Sequence, residues 1–315
     1  MRVPVLREHG AIGLSLETGF PDPVPGDGNV VLRACRSLNY YDIFTRHGML
    51  GIRIPMPATM RRISAVLLVL AVLPGLVASA LAQTIGIVLM HGKTGSPSTV
   101  IVRLAIALQS AGYLVDTPEM CWSRRRIYDR PFLDCLTEID SAIGGLKGRG
   151  AARIVVAGMS QGGDAALVYG ARHANLAGII ALAPAAAPER QVGVADIAPS
   201  VAQARALVAV GRGNETANFA DRNVSGTFSV RTTATIYLSY LDPQGPANML
   251  DSVRKLHAPL LWVAGSADPS QTGANAEFNQ APANPLNRFV MVASAHLGTP
   301  DAARDAVLAW LPELR

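Results

Sequence analysis

Between residues 84 and 315 the chain alternates two kinds of apolar pattern. Short unbroken apolar runs, bounded by Gly, Pro or polar residues, recur at 84–90, 113–117, 152–158, 176–182, 260–264 and 289–292. Runs of this length, rich in Val, Ile and Leu, predict strands covered on both faces, because a half-exposed strand would alternate. Between them lie stretches with a helical period. Val100, Ile101, Leu104, Ala105 and Leu108 share one face, with Ser96 or Ser98 as the cap and Gly112 as the stop. Leu136, Ile139 and Ile143 mark a helix over 134–146, and further helices are predicted over 161–170 and 301–311. The last of these turns Ala302, Ala306, Val307 and Trp310 inward. Strands alternating with helices predict an α/β fold: a doubly wound, mainly parallel sheet of about six strands with helices on both faces.

Residues 185–257 break this rhythm. They hold a helix near 199–210, a polar loop rich in Gly and Asn, and a Thr-rich stretch running to Tyr240. The segment leaves after the fourth predicted strand and returns at the fifth, so it reads as an insertion capping one edge of the sheet.

Net charge narrows the partners. The chain carries +5, of which +3 falls on residues 1–82 and +2 on 83–315. The body is close to neutral and has no basic face of the kind that nucleic acid requires.

The segment 60–82 bears on compartment. Met60-Arg61-Arg62 is a short positive start, the stretch 65–77 is apolar but broken by Pro74 and Gly75, and Ala80-Leu81-Ala82 is a small-x-small cleavage site before Gln83. That is the layout of a secretory signal peptide, with a membrane anchor as the alternative. The expectation is a periplasmic or secreted protein with no stable membrane anchor after cleavage. Residues 1–59 precede the signal and show no sustained period; they read as an unstructured upstream extension of the reading frame, a genuine long leader being the alternative. The body of the chain is then 83–315. It holds two cysteines, Cys121 and Cys135, an even number that predicts one disulfide in an exported chain, two buried thiols being the alternative.

Gly158-Met159-Ser160-Gln161-Gly162 fits G-x-S-x-G between a predicted strand and a predicted helix. Small residues flank the Ser because strand and helix crowd a sharp turn there. Ser is a weak nucleophile near neutral pH and needs a His to take its proton, with a carboxylate to fix the His tautomer. Asp268 follows the fifth strand in Gly-Ser-Ala-Asp-Pro, and His296 follows the sixth in Ser-Ala-His-Leu-Gly. All three positions lie at carboxyl ends of strands, where open α/β sheets bind ligands. Asp242, in Leu-Asp-Pro, is the rival acid. An oxyanion hole needs two backbone N–H groups; Gln161 and Lys93, the latter in the loop after His91-Gly92, are the candidates, and His91 itself reads as structural.

Together, His91-Gly92, the 158–163 elbow, Asp268 and His296 resemble the α/β-hydrolase superfamily over nearly all of 84–313. Ser-Gln-Gly-Gly at the elbow is similar to that of carboxylesterases and acyl-protein thioesterases. The resemblance implies cleavage of a small-molecule ester or thioester through an acyl-Ser160 intermediate, without cofactor or metal. A peptidase, lactone hydrolase or cofactor-free haloperoxidase on the same fold is the alternative, and a non-catalytic binding protein is a third. The first two antiparallel strands usual in the fold are missing here. Leu207, Val208, Phe219, Phe228, Ile236, Tyr237 and Tyr240 of the insertion are expected to wall the acyl site, or else to form a satellite core. Arg124-Arg125-Arg126 reads as a solvated basic loop, or as a site for an acidic substrate group.

Overall fold

The computed structural model describes residues 2–5, 15–18, 84–191 and 193–314. The signal-peptide reading of 60–82 lies outside the described residues. Within 1–59, where no element was expected, an antiparallel pair joins Arg2–Val5 to Ser15–Thr18. Strands of four residues are too short for a periodic pattern to announce them.

The six apolar runs of the body become β1 (Ile85–Met90), β2 (Leu114–Asp116), β3 (Arg153–Met159), β4 (Gly178–Leu182), β7 (Leu260–Gly265) and β8 (Arg288–Val292), while the insertion supplies the hairpin β5 (Thr216–Asn223) and β6 (Gly226–Thr233). The large sheet has the order β8-β7-β4-β3-β1-β2, and every neighbouring pair is parallel. β1 is the first strand of this sheet in chain order, and all six of its strands run parallel.

Each apolar run splits by parity into two cores. Ile87 and Leu89 of β1, Val155 and Ala157 of β3 and Ile180 and Leu182 of β4 face one side. Val88, Met90, Val156, Ile179 and Ala181 face the other. Helix α1 (Val102–Ser110) covers the first side through Leu104, Ala105 and Leu108. The opposite side is covered by α2 (Phe132–Cys135), α3 (Thr137–Gly148) and α4 (Gln161–Gly170), the last buried along its whole length. A side chain the size of Leu or Ile gains roughly 1.5–3 kcal/mol on full burial, so this double coverage is the main source of stability.

Three expectations are corrected locally. No side chain caps α1; Ser96 instead closes a turn with Thr99, whose Oγ1 donates to the Ser96 carbonyl at 2.8 Å. The helix expected over 134–146 starts earlier, as α2, and breaks at Leu136 before α3. The helix expected over 301–311 is two short ones that meet at Ala303, which is buried while Ala302 is exposed.

The insertion contains α5 (Pro188–Gln191), α6 (Ala198–Ala209), the hairpin, α7 (Ala234–Leu241) and α8 (Met249–Val253). Its aromatics pack inward. Phe219 stacks on Tyr237 with centroids 4.5 Å apart, and Tyr240 stacks on Tyr128 at 3.9 Å. Beside them a disulfide joins Cys121 to Cys135, with Cα atoms 5.8 Å apart. No helix among the described residues is long and apolar enough to cross a membrane.

Candidate active site

Ser160 ends β3 and precedes α4 with φ 55° and ψ −122°, a conformation that side-chain-bearing residues rarely hold and that concentrates at functional sites. The surrounding glycines permit it. A Cβ on Gly158 would lie 2.1 Å from the Gly162 carbonyl oxygen, and one on Gly162 would lie 2.6 Å from that of Met90. The turn is pinned by Ser160 N–H donating to Leu182 O at 2.9 Å and by Asp164 N–H donating to Ser160 O at 3.0 Å. Three other non-glycine residues among those described have positive φ: Thr94, Tyr128 and Ala183. Thr94 and Ala183 flank the same strand ends, so backbone strain gathers at one edge of the sheet.

His296 and Asp268 meet at that edge. Nδ1 of His296 lies 2.6 Å from Asp268 Oδ2, and both side chains are buried. Asp268 Oδ1 accepts from Ser270 N–H at 3.0 Å and from Ser270 Oγ at 2.7 Å. One carboxylate oxygen is thus tied to its own turn and the other is left for the imidazole. Among the described residues Ser160 Oγ has no hydrogen-bond partner; such contacts commonly tighten only when substrate binds. Ser160, Asp268 and His296 line one cleft of about 740 Å³. The rival Asp242 lies elsewhere, held by Arg205 at 2.6 and 3.1 Å, and that bond keeps its carboxyl below the usual range.

Two backbone N–H groups near Ser160 are the ones expected to face a developing negative charge. Gln161 opens α4, so its N–H belongs to a first turn that has no intrahelical acceptor. Lys93 lines the cleft, and its N–H has no acceptor among the described residues. The Lys93 loop is built from below. His91 is buried, which lowers its pKa; its Nε2 accepts from Met120 N–H at 3.1 Å, while Nδ1 bonds Gly92 O at 2.8 Å. Both ring nitrogens are spent, in keeping with a structural His91.

Several partners at the site carry no motif. Lys93 Nζ pairs with Asp221 of β5 at 2.7 Å, with both side chains buried. Tyr128 OH donates to the other Asp221 oxygen at 2.5 Å, and Asn223 Nδ2 donates to Thr94 Oγ1 at 3.0 Å. On the opposite wall Arg190 pairs with Glu277 and donates to Pro184 O at 2.8 Å and Ser270 O at 3.0 Å. Behind the elbow Asp164 is fully buried. Its Oδ2 accepts from Ala186 N–H at 2.7 Å, its Oδ1 has no partner, and burial pushes its pKa up to about 7.

None of the seven apolar residues expected to wall the acyl site lines this cleft. Phe219, Tyr237 and Tyr240 are core, and Val208 is exposed. The insertion contributes Ala185, Ala186, Arg190, Gln191, Val194 and the hairpin tip 222–224 instead. Of the arginine run, Arg126 is bound by Asp129 and Glu138, while Arg124 borders a neighbouring depression. The cluster Cys121, Asp129 and Cys135 has metal-ligand spacing, but its two sulfurs are joined in the disulfide.

No protein-family model matches the chain, and no curated protein matches it in sequence. Solved structures do. One reported for LipS and LipT, two metagenome-derived lipolytic enzymes, aligns with a TM-score of 0.53 at 18% identity, covering 74% of this chain and 94% of that one. The chain has the α/β-hydrolase fold. The monoacylglycerol lipase of Paleococcus ferrophilus aligns on this fold with a TM-score of 0.53 at 20% identity, over 73% of this chain and 95% of its own. Est1E from Butyrivibrio proteoclasticus aligns with a TM-score of 0.51 at 18% identity, over 74% and 88%. In all three the α/β-hydrolase fold spans most of the other chain and about three-quarters of this one.

Proposed function

We propose that the protein is a serine hydrolase that cleaves a carboxylic ester or thioester through an acyl-Ser160 intermediate. The observation that carries this reading is the buried contact of 2.6 Å between His296 Nδ1 and Asp268 Oδ2, in the cleft that the strained Ser160 also lines. Asp268 holds the tautomer that leaves Nε2 free to accept a proton. Ser160 Oγ attacks the carbonyl carbon while His296 takes the hydroxyl proton. The N–H groups of Gln161 and Lys93 stabilise the oxyanion. Collapse of the tetrahedral species passes the proton from His296 to the departing alcohol or thiol and leaves acyl-Ser160. Water, deprotonated by the same His296, then releases the acid. The sequence of steps needs no cofactor and no metal. The lipase and esterase names of the structural neighbours agree with this chemistry.

We further propose export, to the periplasm or the medium, with 60–82 as the signal peptide and no membrane anchor after its removal. The Cys121–Cys135 bond supports it, since such cross-links persist in oxidising compartments.

The test is twofold. A fluorophosphonate probe labels Ser160 in the wild type and not in Ser160→Ala, and a panel of chromogenic esters of graded acyl length is hydrolysed only by the wild type. A folded wild-type protein that takes no label and turns over no ester overturns the proposal.

A further inference from the structure

We infer that the substrate carries an anionic group, a carboxylate or a phosphate, and that Arg222 at the hairpin tip binds it; the inference rests on the ester-hydrolase reading above. The charges that line the cleft are Lys93, Arg190 and Arg222 against Asp268 and Glu277. All but one are answered within the protein. Lys93 is paired with Asp221 and Arg190 with Glu277, while the Asp268 carboxylate is taken up by hydrogen bonds from His296 and Ser270. Arg222 alone has no ion pair among the described residues, and its side chain is exposed to the cleft mouth.

Its chain neighbour does not neutralise it. Asp221 points the other way, into the core, where Lys93 and Tyr128 occupy its two oxygens. Arg222 meets that carboxylate through its backbone N–H, which donates to Asp221 Oδ1 at 2.6 Å. The alternation of side chains along β5 thus puts the acid inside and the guanidinium outside. Asn223 follows and lines both the cleft and an adjoining depression of about 320 Å³. That depression is bordered by Arg124, a second exposed guanidinium without an ion pair among the described residues. Two unanswered positive charges therefore flank Asn223 beside the Ser160 cleft.

A guanidinium presents a planar fork of donors that matches a carboxylate or phosphate. Uncompensated charge at the mouth of a cleft also concentrates ligands of opposite sign. The apolar members of the lining include Val100, Met159, Ala186, Val194 and Leu297, and no Phe, Tyr or Trp side chain lines the cleft among the described residues.

Two matched pairs of chromogenic esters test the inference. 4-Nitrophenyl hydrogen adipate against 4-nitrophenyl hexanoate places the anion on the acyl side. 5-Acetoxy-2-nitrobenzoate against 4-nitrophenyl acetate places it on the leaving group. In wild type at least one anionic ester exceeds its neutral mate in kcat/KM by about tenfold, mainly through KM, and salt erodes the preference. Arg222→Gln removes that ratio and Arg222→Glu inverts it. Arg124→Gln reduces it in part. Arg231→Gln, an exposed arginine of the same hairpin outside the cleft, leaves it as in wild type. Turnover of the neutral esters with a ratio near one, or a ratio untouched by Arg222→Gln and Arg222→Glu, overturns this inference and leaves the hydrolase reading standing. No turnover of any ester, with Ser160 unlabelled by fluorophosphonate, removes both.

Discussion

Ser270 holds Asp268 by the carboxylate oxygen that His296 does not take. Its N–H and Oγ bond Oδ1 at 3.0 and 2.7 Å, so Oδ2 is left facing His296 Nδ1 at 2.6 Å. The hydroxyl also sits 3.4 Å from that nitrogen, which places it to orient both groups. Asp268→Asn, which favours the wrong imidazole tautomer, is expected to lower kcat on the order of 10⁴-fold with little loss of stability. Ser270→Ala should lower kcat by about tenfold, because one charge-assisted bond to Asp268 is lost. Asp242→Asn should leave kcat unaffected, its partner being Arg205. Steady-state kinetics on one chromogenic ester decides all three. A larger loss in Asp242→Asn than in Asp268→Asn would reassign the acid.

Ser160→Ala should lower kcat on the order of 10⁴–10⁶-fold, the range for loss of a nucleophile acting in concert with its base. Thermal unfolding should stay close to wild type, since Ser160 Oγ has no protein partner to lose. Undiminished hydrolysis by a folded Ser160→Ala protein would show that the nucleophile lies elsewhere.

The elbow glycines should fail in a different way. A Cβ on Gly158 meets backbone of Gly162 at 2.1 Å, and no rotamer relieves a clash between two backbones. Gly158→Ala is expected to lose at least about 3 kcal/mol of stability, at the severe end of single substitutions. Urea denaturation measures it. An alanine variant of wild-type stability would mean that strand and helix do not approach so closely.

Lys93 and Asp221 form a buried pair across 128 residues of sequence. Removing one member strands a charge, which costs about 3–5 kcal/mol. Asp221→Asn should show a loss of that size in urea, together with a lower kcat, because the Lys93 N–H loses its anchor. A variant of unchanged stability would show that the pair contributes nothing in solution.

Asp164 should make stability depend on pH in an unusual direction. Its pKa in the fold is raised to about 7 by burial, partly opposed by Arg190 and Lys93. A carboxyl of ordinary pKa in the unfolded chain releases its proton first. The native state therefore holds one proton more between about pH 4 and pH 7, and the contribution falls by about 1.4 kcal/mol per pH unit as pH rises through that window. The stabilisation is complete below it and lost above it. Asp164→Asn keeps the acceptor for Ala186 N–H without an ionisable proton. The difference in stability between variant and wild type should grow in favour of Asn from pH 5 to pH 8, read from urea midpoints. A constant difference would contradict the shift.

The sheet was legible because covering both faces demands unbroken apolar runs, and β1, β3, β4 and β7 are such runs. Ser160, Asp268 and His296 were legible because each sits at a strand end with a turn residue beside it. The insertion was not. The hairpin of β5 and β6 alternates weakly, with Asp221 and Thr232 buried among polar neighbours, so hydrophobic pattern hides its strands. Asp221 faces inward only because Lys93 and Tyr128 arrive from distant segments, and no local spacing announces that. The aromatics of the insertion stand out along the chain, but composition alone does not say whether Phe219 and Tyr237 face a ligand or each other. The signal available for Ser270 was its place two residues after Asp268, where a side-chain turn forms.

The hairpin has a consequence for the order in which the protein comes into being. The loop of Lys93 belongs to the first βα unit of the body, yet its side chain is held by residue 221 and its neighbour Thr94 by residue 223. A chain emerging from its N-terminus can complete the first four strands of the sheet before that hairpin exists. During that interval the Ser160 turn can form while Lys93 waits, charged and without its counter-ion. His296, later still, arrives with the last strand. On the proposed mechanism the reactive centre is complete only once the last strand of the sheet has docked, and a chain cut before that strand would carry Ser160 without His296.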